Sequence, residues 1–349
     1  MRVRALVLAA GYGTRLGPLT DSRPKPLLPV RGKPVVELTL ERLAAAGCEA
    51  IALNLHHLGG AIRERYGDSF REVPLTYSEE PEILGTLGAF GPLRDFFAAA
   101  DAVVLVNGDS LCRWPLRRLI RRHAKGRAAA TLLFAAAADP ARFGGGVAVE
   151  RKGGRILSFR AGPGDPEAER RDGIRRLVFA GAHVLAPSLL ERVGEGFADV
   201  VANLYQPLLA EGQRLQAVIT GRPWYDLGTP RRLRNAATTG GAGHRLVRLV
   251  RRNWVAADAR LAPGVRLRRS VVEADAVVGR GASLRRTVLL PGARVGPGAV
   301  LEGCVVGWDA DVPPESRVRE RLICRRTAGG TVPDGSSVVG EVVYSGLDP

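Results

Sequence analysis

Residues 5–36 read ALVLAAGYGTRLGPLTDSRPKPLLPVRGKPVV, and this stretch decides how the rest of the chain is understood. Ala5 to Leu8 form a short apolar run of the kind buried inside a parallel sheet. The run breaks into Leu8-Ala9-Ala10-Gly11-Tyr12-Gly13, followed by Thr14 and Arg15, and Lys25 stands further on between Pro24 and Pro26. Glycines at a strand end let backbone N–H groups turn inward and meet phosphate oxygens with no Cβ in the way. Arg15 offers a planar fork of donors and Lys25 a compact positive charge. Together they suit the phosphates of a nucleoside triphosphate. The loop is not a P-loop, which would end in Gly-Lys-Ser/Thr. Nor is it a dinucleotide fingerprint, which needs a third Gly or Ala where Leu16 stands.

Outward from this loop, apolar runs alternate with helical patterns up to about residue 232. Strands are expected over 4–9, 50–55, 73–78, 102–107, 129–135, 178–185 and 215–220, and helices over 34–46, 58–66, 87–97, 115–125 and 199–210. Gly47 and Gly126 mark C-terminal stops. Such alternation predicts an α/β fold: a Rossmann-like, mostly parallel sheet covered on both faces, with ligands at the carboxyl ends of the strands. The glycine loop and Asn107-Gly108-Asp109 both fall there. The charged, glycine-rich stretch 151–176 reads as exposed hairpins or a flap, and 233–249 as a helical or loose connection.

After residue 250 the pattern becomes a repeat of 17 residues. Leu261, Val278, Val295 and Val312 form one series; Leu267, Leu284, Leu301 and Val318 a second; Val271, Val288, Val305 and Leu322 a third. Gly264, Gly281 and Gly298 stand at matching turns. Within a period the apolar positions fall about six apart, in short runs too small for helices, so three short strands per coil should stack in parallel around one apolar column. The expected organisation is therefore 1–232, a connection over 233–249, and a stacked-coil domain over 250–349, with repeats to 323 and a tail.

Composition sets limits on partners. No apolar run reaches membrane length and no signal segment opens the sequence, so a cytoplasmic protein is expected. Cys48, Cys112, Cys304 and Cys324 are scattered and read as reduced thiols. The net charge is +16, yet 47 of the 51 basic residues are arginines dispersed along the chain. That bias argues for compositional preference over a nucleic-acid surface. It also singles out Lys25, where a chain that writes Arg almost everywhere keeps a lysine.

These motifs resemble those of the sugar-1-phosphate nucleotidylyltransferases, over roughly residues 3–232. The resemblance implies that Leu8, Ala9, Ala10, Gly11, Gly13 and Thr14 wrap the nucleotide, Arg15 contacts the leaving phosphates and Lys25 steadies the α-phosphate. Asp109 in LVNGDS and Asp226 in WYDLGTP would hold Mg²⁺. Glu79-Glu80-Pro81 with Leu84-Gly85-Thr86 resembles the base-binding element, which points to Glu80, Gly85 and Thr86. Phe143-Gly144 and Phe179-Ala180-Gly181 resemble the sugar pocket. Many relatives carry Glu-Lys-Pro where this chain has Ala161-Gly162-Pro163, so a counter-charge from Arg160 or the arginines at 170–176 is expected instead. The repeat resembles the left-handed β-helix of hexapeptide-repeat proteins, which is attached to several such enzymes, including mannose-1-phosphate guanylyltransferases. That attachment favours GTP and mannose 1-phosphate, and a homo-oligomer built through the β-helix. Uridylyl or thymidylyl transfer to another sugar 1-phosphate (glucose or an N-acetylmuramate-like sugar, the latter suggested by Asn54-Leu55-His56-His57-Leu58) stays open. So does a non-catalytic regulatory subunit. None of the five histidines lies beyond residue 250, which argues against acyl transfer on the repeat domain.

Overall fold

Strand β1 (Val3–Leu8) lies near the middle of the sheet that the apolar runs build. In chain order the other main strands of this sheet are β2 (Ala50–Leu55), β3 (Val73–Glu79), β4 (Ala102–Asn107), β5 (Ala130–Ala135), β6 (Val147–Glu150), β7 (Ile156–Phe159), β8 (Ile174–Leu185) and β9 (Leu215–Thr220). The computed structural model describes residues 1–144, 146–159, 173–239, 253–327 and 329–348. They form two units. Met1–Gly11 with Thr39–Trp224 make the first, and Tyr12–Leu38 with Tyr225–Pro349 make the second.

In the first unit β1 pairs in parallel with β2 and β4, and β3 extends the parallel set beyond β2. Ala5, Leu6 and Val7 are wholly buried, as are Val103 to Val106; near-continuous apolar strands are what burial on both faces requires. On the other side of β4 the direction reverses. β8 runs antiparallel to β4 and β5, and its first half pairs with β6, which forms a hairpin with β7. The stretch 151–159 is thus the turn and second strand of a hairpin, as its composition suggests. Residues 160–172 lie outside the described residues.

Two expected helices are interrupted. The span 87–97 becomes Gly85–Gly88, a short turn at Gly91–Leu93 and Arg94–Ala98. Gly91-Pro92 breaks it, because proline has no N–H to donate and glycine disfavours helix. The span 199–210 opens with a wide π turn, Val201–Tyr205, before Gln206–Ala210, with Pro207 at the change. Helices α1 (Val35–Ala46), α2 (Gly60–Tyr66) and α3 (Leu116–Lys125) match expectation. Gly47 ends α1 in the left-handed conformation at φ +88°, whereas Gly126 ends α3 in extended backbone.

The second unit holds the repeat. Its strands stack in parallel into three sheets at the expected interval: Trp254, Val271, Val288, Val305 and Leu322 in register along one sheet, Leu261, Val278, Val295 and Val312 along another, Leu267, Leu284, Leu301 and Val318 along the third. Each coil turns three corners, and the corner residues take positive φ in series: Gly264, Gly281, Gly298 and Glu315; Asp275, Gly292 and Asp309; Arg269, Arg286, Gly303 and Glu320. One series differs from the sequence reading. The interior column takes Val272, Leu289, Val306 and Ile323 from the first sheet. Val271, Val288 and Val305, also fully buried, point to the opposite face because strand side chains alternate. Helix α4 (Pro230–Thr239) packs against the strands that carry Val288 and Val305. The first part of the expected connection 233–249 is therefore a docked helix, and 240–252 lies outside the described residues. Arg234 of α4 is 2% exposed; its guanidinium donates to Gly303 O at 2.6 Å and pairs with Glu320 at 2.8 Å.

No helix among the described residues is long and apolar enough to cross a membrane.

Candidate functional site

In the first unit the end of β1 is tied to the segment 80–86 by a buried polar chain. The Ala9 N–H donates to Asn54 Oδ1 at 2.8 Å, and Asn54 Nδ2 donates to Glu80 Oε1 at 2.8 Å. The second Glu80 oxygen accepts the Leu84 N–H at 2.9 Å, and His56 Nδ1 lies 2.7 Å from Glu80 O. Glu80 is 3% exposed, and these bonds satisfy a carboxylate that burial alone would penalise. Sequence reasoning counted Glu80 among the nucleotide-binding residues; in the structure both of its oxygens accept hydrogen bonds from the protein's own frame. Asn54, which the sequence marked only as the first residue of the run Asn54–Leu58, is the link.

Gly85 has φ +76°, and a Cβ there would stand 2.6 Å from Ala198 O. Thr86 Oγ1 accepts the Val200 N–H at 2.8 Å and lies 3.2 Å from Asp199 Oδ2. Gly85-Thr86 is thereby locked against residues 198–200. Gly108 is equally constrained: its N–H donates to Leu8 O at 2.9 Å, and a Cβ would stand 2.7 Å from that oxygen. This contact sets half-buried Asp109 beside the end of β1, where its Oδ1 lies 3.3 Å from the Ser110 hydroxyl. Gly181, at φ +73°, packs against the Asn107 side chain where the β8 register shifts between Phe179 and His183. At Gly11 a Cβ would meet nothing within 4 Å. The protein's own packing does not call for a glycine there.

A cavity of about 460 Å³ opens in the same unit, with Phe143, Gly144, Phe179, His183, Tyr205 and Trp224 on its walls. Gly144 lines it; Gly181 does not. Burial pushes the His183 pKa down to about 3, leaving a neutral imidazole whose Nδ1 is 2.5 Å from Tyr205 Oη. Arg160 lies outside the described residues, as do Ala161, Gly162, Arg170 and Arg171.

In the second unit Gly13, at φ +73°, fits where a Cβ would stand 3.0 Å from the Thr20 methyl and 3.3 Å from Lys25 Cβ. Lys25 follows Pro24 at the start of a short 3₁₀ turn and is 8% exposed. Thr14 and Arg15 are exposed and line a second cavity of about 460 Å³, which Arg321, Thr331 and Asp348 also border. Asp226 and Arg15 meet across Gly228, where a Cβ would be 2.8 Å from Asp226 Oδ1 and 2.9 Å from Arg15 Nη2. Asp226 Oδ1 accepts the Gly228 N–H at 2.7 Å, and its other oxygen pairs with Arg232. Arg232 is a residue that sequence reasoning missed; its place six positions after Asp226, in an arginine-rich run, gave no signal. Among the described residues no three His, Cys, Asp or Glu side chains gather into a metal cluster. A hard cation such as Mg²⁺ needs no such cluster, since it takes one or two carboxylates and fills its other positions with water and phosphate oxygens.

The chain matches two families in tandem: "Nucleotidyl transferase" over residues 4–249 and "GlmU-like, C-terminal hexapeptide" over residues 248–322. Similar curated proteins include the mannose-1-phosphate guanylyltransferase catalytic subunit beta of Drosophila pseudoobscura pseudoobscura, 29% identical over 65% of this chain and 60% of that protein. The mannose-1-phosphate guanylyltransferase of Mycobacterium tuberculosis is 32% identical over 66% and 62%. The UTP–glucose-1-phosphate uridylyltransferase of a Synechocystis species is 29% identical over 65% and 60%. The chain thus spans about three-fifths of the length of these relatives. The crystal structure of HddC from Yersinia pseudotuberculosis complexed with GMP-PN shares the fold, with a TM-score of 0.54 and 21% identity over 67% of this chain and 97% of that one.

Proposed function

The chain belongs to the nucleotidyl transferase family, and on that premise we propose that it transfers a nucleotidyl group from a nucleoside triphosphate to a sugar 1-phosphate, releasing pyrophosphate. The observation that carries this reading is the meeting of Arg15 and Asp226 across Gly228. A phosphate-binding cation from the glycine loop and a carboxylate from a distant segment reach one point, which a nucleotide-binding loop alone does not need. Lys25, buried behind Gly13, supplies a second fixed cation.

In this reading a sugar-phosphate oxygen attacks the α-phosphorus in line, the bond from the α-phosphorus to the bridging oxygen breaks, and pyrophosphate departs. A phosphate monoester is ionised at neutral pH, so no general base is required. Arg15 binds the departing phosphates and Lys25 offsets charge on the α-phosphoryl group; positioning and charge neutralisation do the rest. Asp109 and Asp226 would hold Mg²⁺, which when bound neutralises phosphate charge. Leu8, Ala9, Ala10, Gly11, Gly13 and Thr14 wrap the nucleotide. Glu80 acts through Asn54 and Leu84 to hold the base-facing segment Gly85-Thr86. Gly144 and the cavity beside it receive the sugar, and Gly181 buttresses the Asn107-Gly108-Asp109 strand end.

GTP and mannose 1-phosphate are the favoured pair, because two of the similar proteins are mannose-1-phosphate guanylyltransferases. The uridylyltransferase at equal identity to the first keeps UTP and glucose 1-phosphate as the second reading. A panel of triphosphates against sugar 1-phosphates, read by pyrophosphate release, tests both. Turnover with GTP and mannose 1-phosphate supports the first, turnover confined to UTP the second, and no release with any pair refutes the transferase reading. The edge strand Ser337–Val339 exposes Val338 and Val339 at 43% and 61%, an edge that self-association would cover. Sedimentation of the full chain as a monomer would exclude the proposed homo-oligomer.

A further inference from the structure

The segment that carries Lys25 belongs to the same unit as the β-helix, and the β-helix with its tail grips it on both sides of the lysine. Before Lys25, Trp308 Nε1 donates to Leu19 O at 3.1 Å, and its ring lies 4.4 Å beneath the Arg23 guanidinium. Also before it, Asp21 accepts the Thr331 N–H at 2.7 Å on one oxygen and the Thr331 hydroxyl at 2.8 Å on the other. After Lys25, Glu273 accepts the Arg31 N–H at 2.7 Å and the Gly32 N–H at 2.8 Å. Glu273 is fully buried. The indole edge of Trp254 stands about where a Gly32 side chain would be, 3.0 Å from the Cβ position.

Most of these bonds end on backbone atoms of the lysine segment. They fix its path, and Asp21 and Arg23 add side-chain ties to Thr331 and Trp308. The residues that supply them come from three separate levels: Glu273 in one coil, Trp308 two coils on, and Thr331 in the tail. A β-helix serving only as a spacer or an assembly surface has no need of that. We infer that the β-helix completes the transfer site, with Glu273, Trp308 and Thr331 as positioning residues that hold the Lys25 segment in its working geometry. The inference rests on the transferase reading for its functional consequence but not for its structural one.

The experiment uses the full chain and three conservative variants, Glu273→Gln, Trp308→Phe and Thr331→Val, with Thr331→Ser as the rescue. Amide hydrogen exchange across residues 17–32 should speed up about tenfold in each variant, the scale of one lost hydrogen bond, while exchange in the coil strands 277–306 stays as in the parent. Thr331→Ser should restore parental exchange. In the pyrophosphate-release assay kcat should fall about tenfold or more, because small displacements of a charge-neutralising group are costly. KM for the triphosphate should move much less, and melting of the coils should not change in Trp308→Phe or Thr331→Val. Parental exchange over 17–32 overturns the inference whether or not the protein turns over. Faster exchange with parental kcat overturns it as well. A parent protein with no turnover counts against the transferase reading, and the exchange result then decides the inference.

Discussion

Asn54 and Glu80 meet at 2.8 Å, Nδ2 to Oε1, just past the end of β1. Through them the Ala9 N–H at the end of β1 and the Leu84 N–H before Gly85 answer to one buried carboxylate. Two segments assigned to the nucleotide are thus set by a single pair. Glu80→Ala should orphan both the Asn54 amide and the Leu84 N–H, at about 1–3 kcal/mol for each buried group left unpaired. Thermal melting should show the loss. KM for the triphosphate should rise more than KM for the sugar phosphate, and equal changes in the two would mean that the pair serves stability alone.

Asp109→Ala and Asp226→Ala should each abolish turnover without unfolding the protein. If both serve one cation, the double variant should be scarcely worse than either single one, since residues acting as a unit are not additive. Near-parental kcat for either would sink the shared-cation reading. Circular dichroism on the same samples separates chemistry from folding.

Lys25→Ala should cost about 10²–10³ in kcat, the scale of removing one preorganised donor from developing charge. Lys25→Arg should recover little. The lysine stem is only 8% exposed and packs against Gly13, and a planar guanidinium is bulkier than an ammonium. Full activity in the arginine variant would show that the charge, not its shape, is what counts there.

Gly303→Ala should destabilise the second unit. The corner takes φ +65°, and a Cβ would stand 2.9 Å from Arg234 Nη1 and 2.0 Å from Glu320 Oε1. Arg286 holds the same corner one coil earlier at φ +50°, so the backbone conformation alone is tolerable and the clash is the larger cost. Breaking a buried ion pair costs about 3–5 kcal/mol; with Glu320 part-exposed, a smaller melting loss is expected. Arg286→Ala serves as the control that should change little.

Burial pushes the Glu273 pKa from its ordinary 4.5 up to about 7, against the lowering effect of the Gly32 and Arg31 N–H groups and the Arg31 guanidinium. A raised carboxyl pKa means that the folded protein holds more protons than the unfolded chain between those values. Stability from this group should therefore be greatest at the acid end of that window and fall as pH rises through it. Urea unfolding of the full chain from pH 5 to pH 8 should show that decline. Glu273→Gln, which cannot ionise, should flatten it; an unchanged slope would assign the pH dependence elsewhere.

The strands of the first sheet were legible because Ala5–Leu8 and Ala102–Val106 are uninterrupted apolar runs, and burial on both faces leaves such runs no other home. The β-helix was legible because stacking repeats the same environment every coil, so Val278, Val295 and Val312 had to recur in step. The two broken helices were missed where proline and glycine outweighed apolar spacing. Glu80, Asn54 and Arg232 show what one-dimensional reading cannot supply. Their roles depend on which atoms a folded backbone brings within hydrogen-bonding distance, and Asn54 looks like any strand residue until Ala9 and Glu80 arrive beside it. The same holds for Lys25. Local sequence determined that a lysine and its prolines stand there, since side-chain chemistry is written residue by residue. Only the tertiary structure decided that Glu273 and Trp308 hold the backbone on either side of it and Thr331 the Asp21 carboxylate, all more than two hundred residues downstream, because such contacts are chosen by packing in three dimensions and leave no periodic trace in the chain.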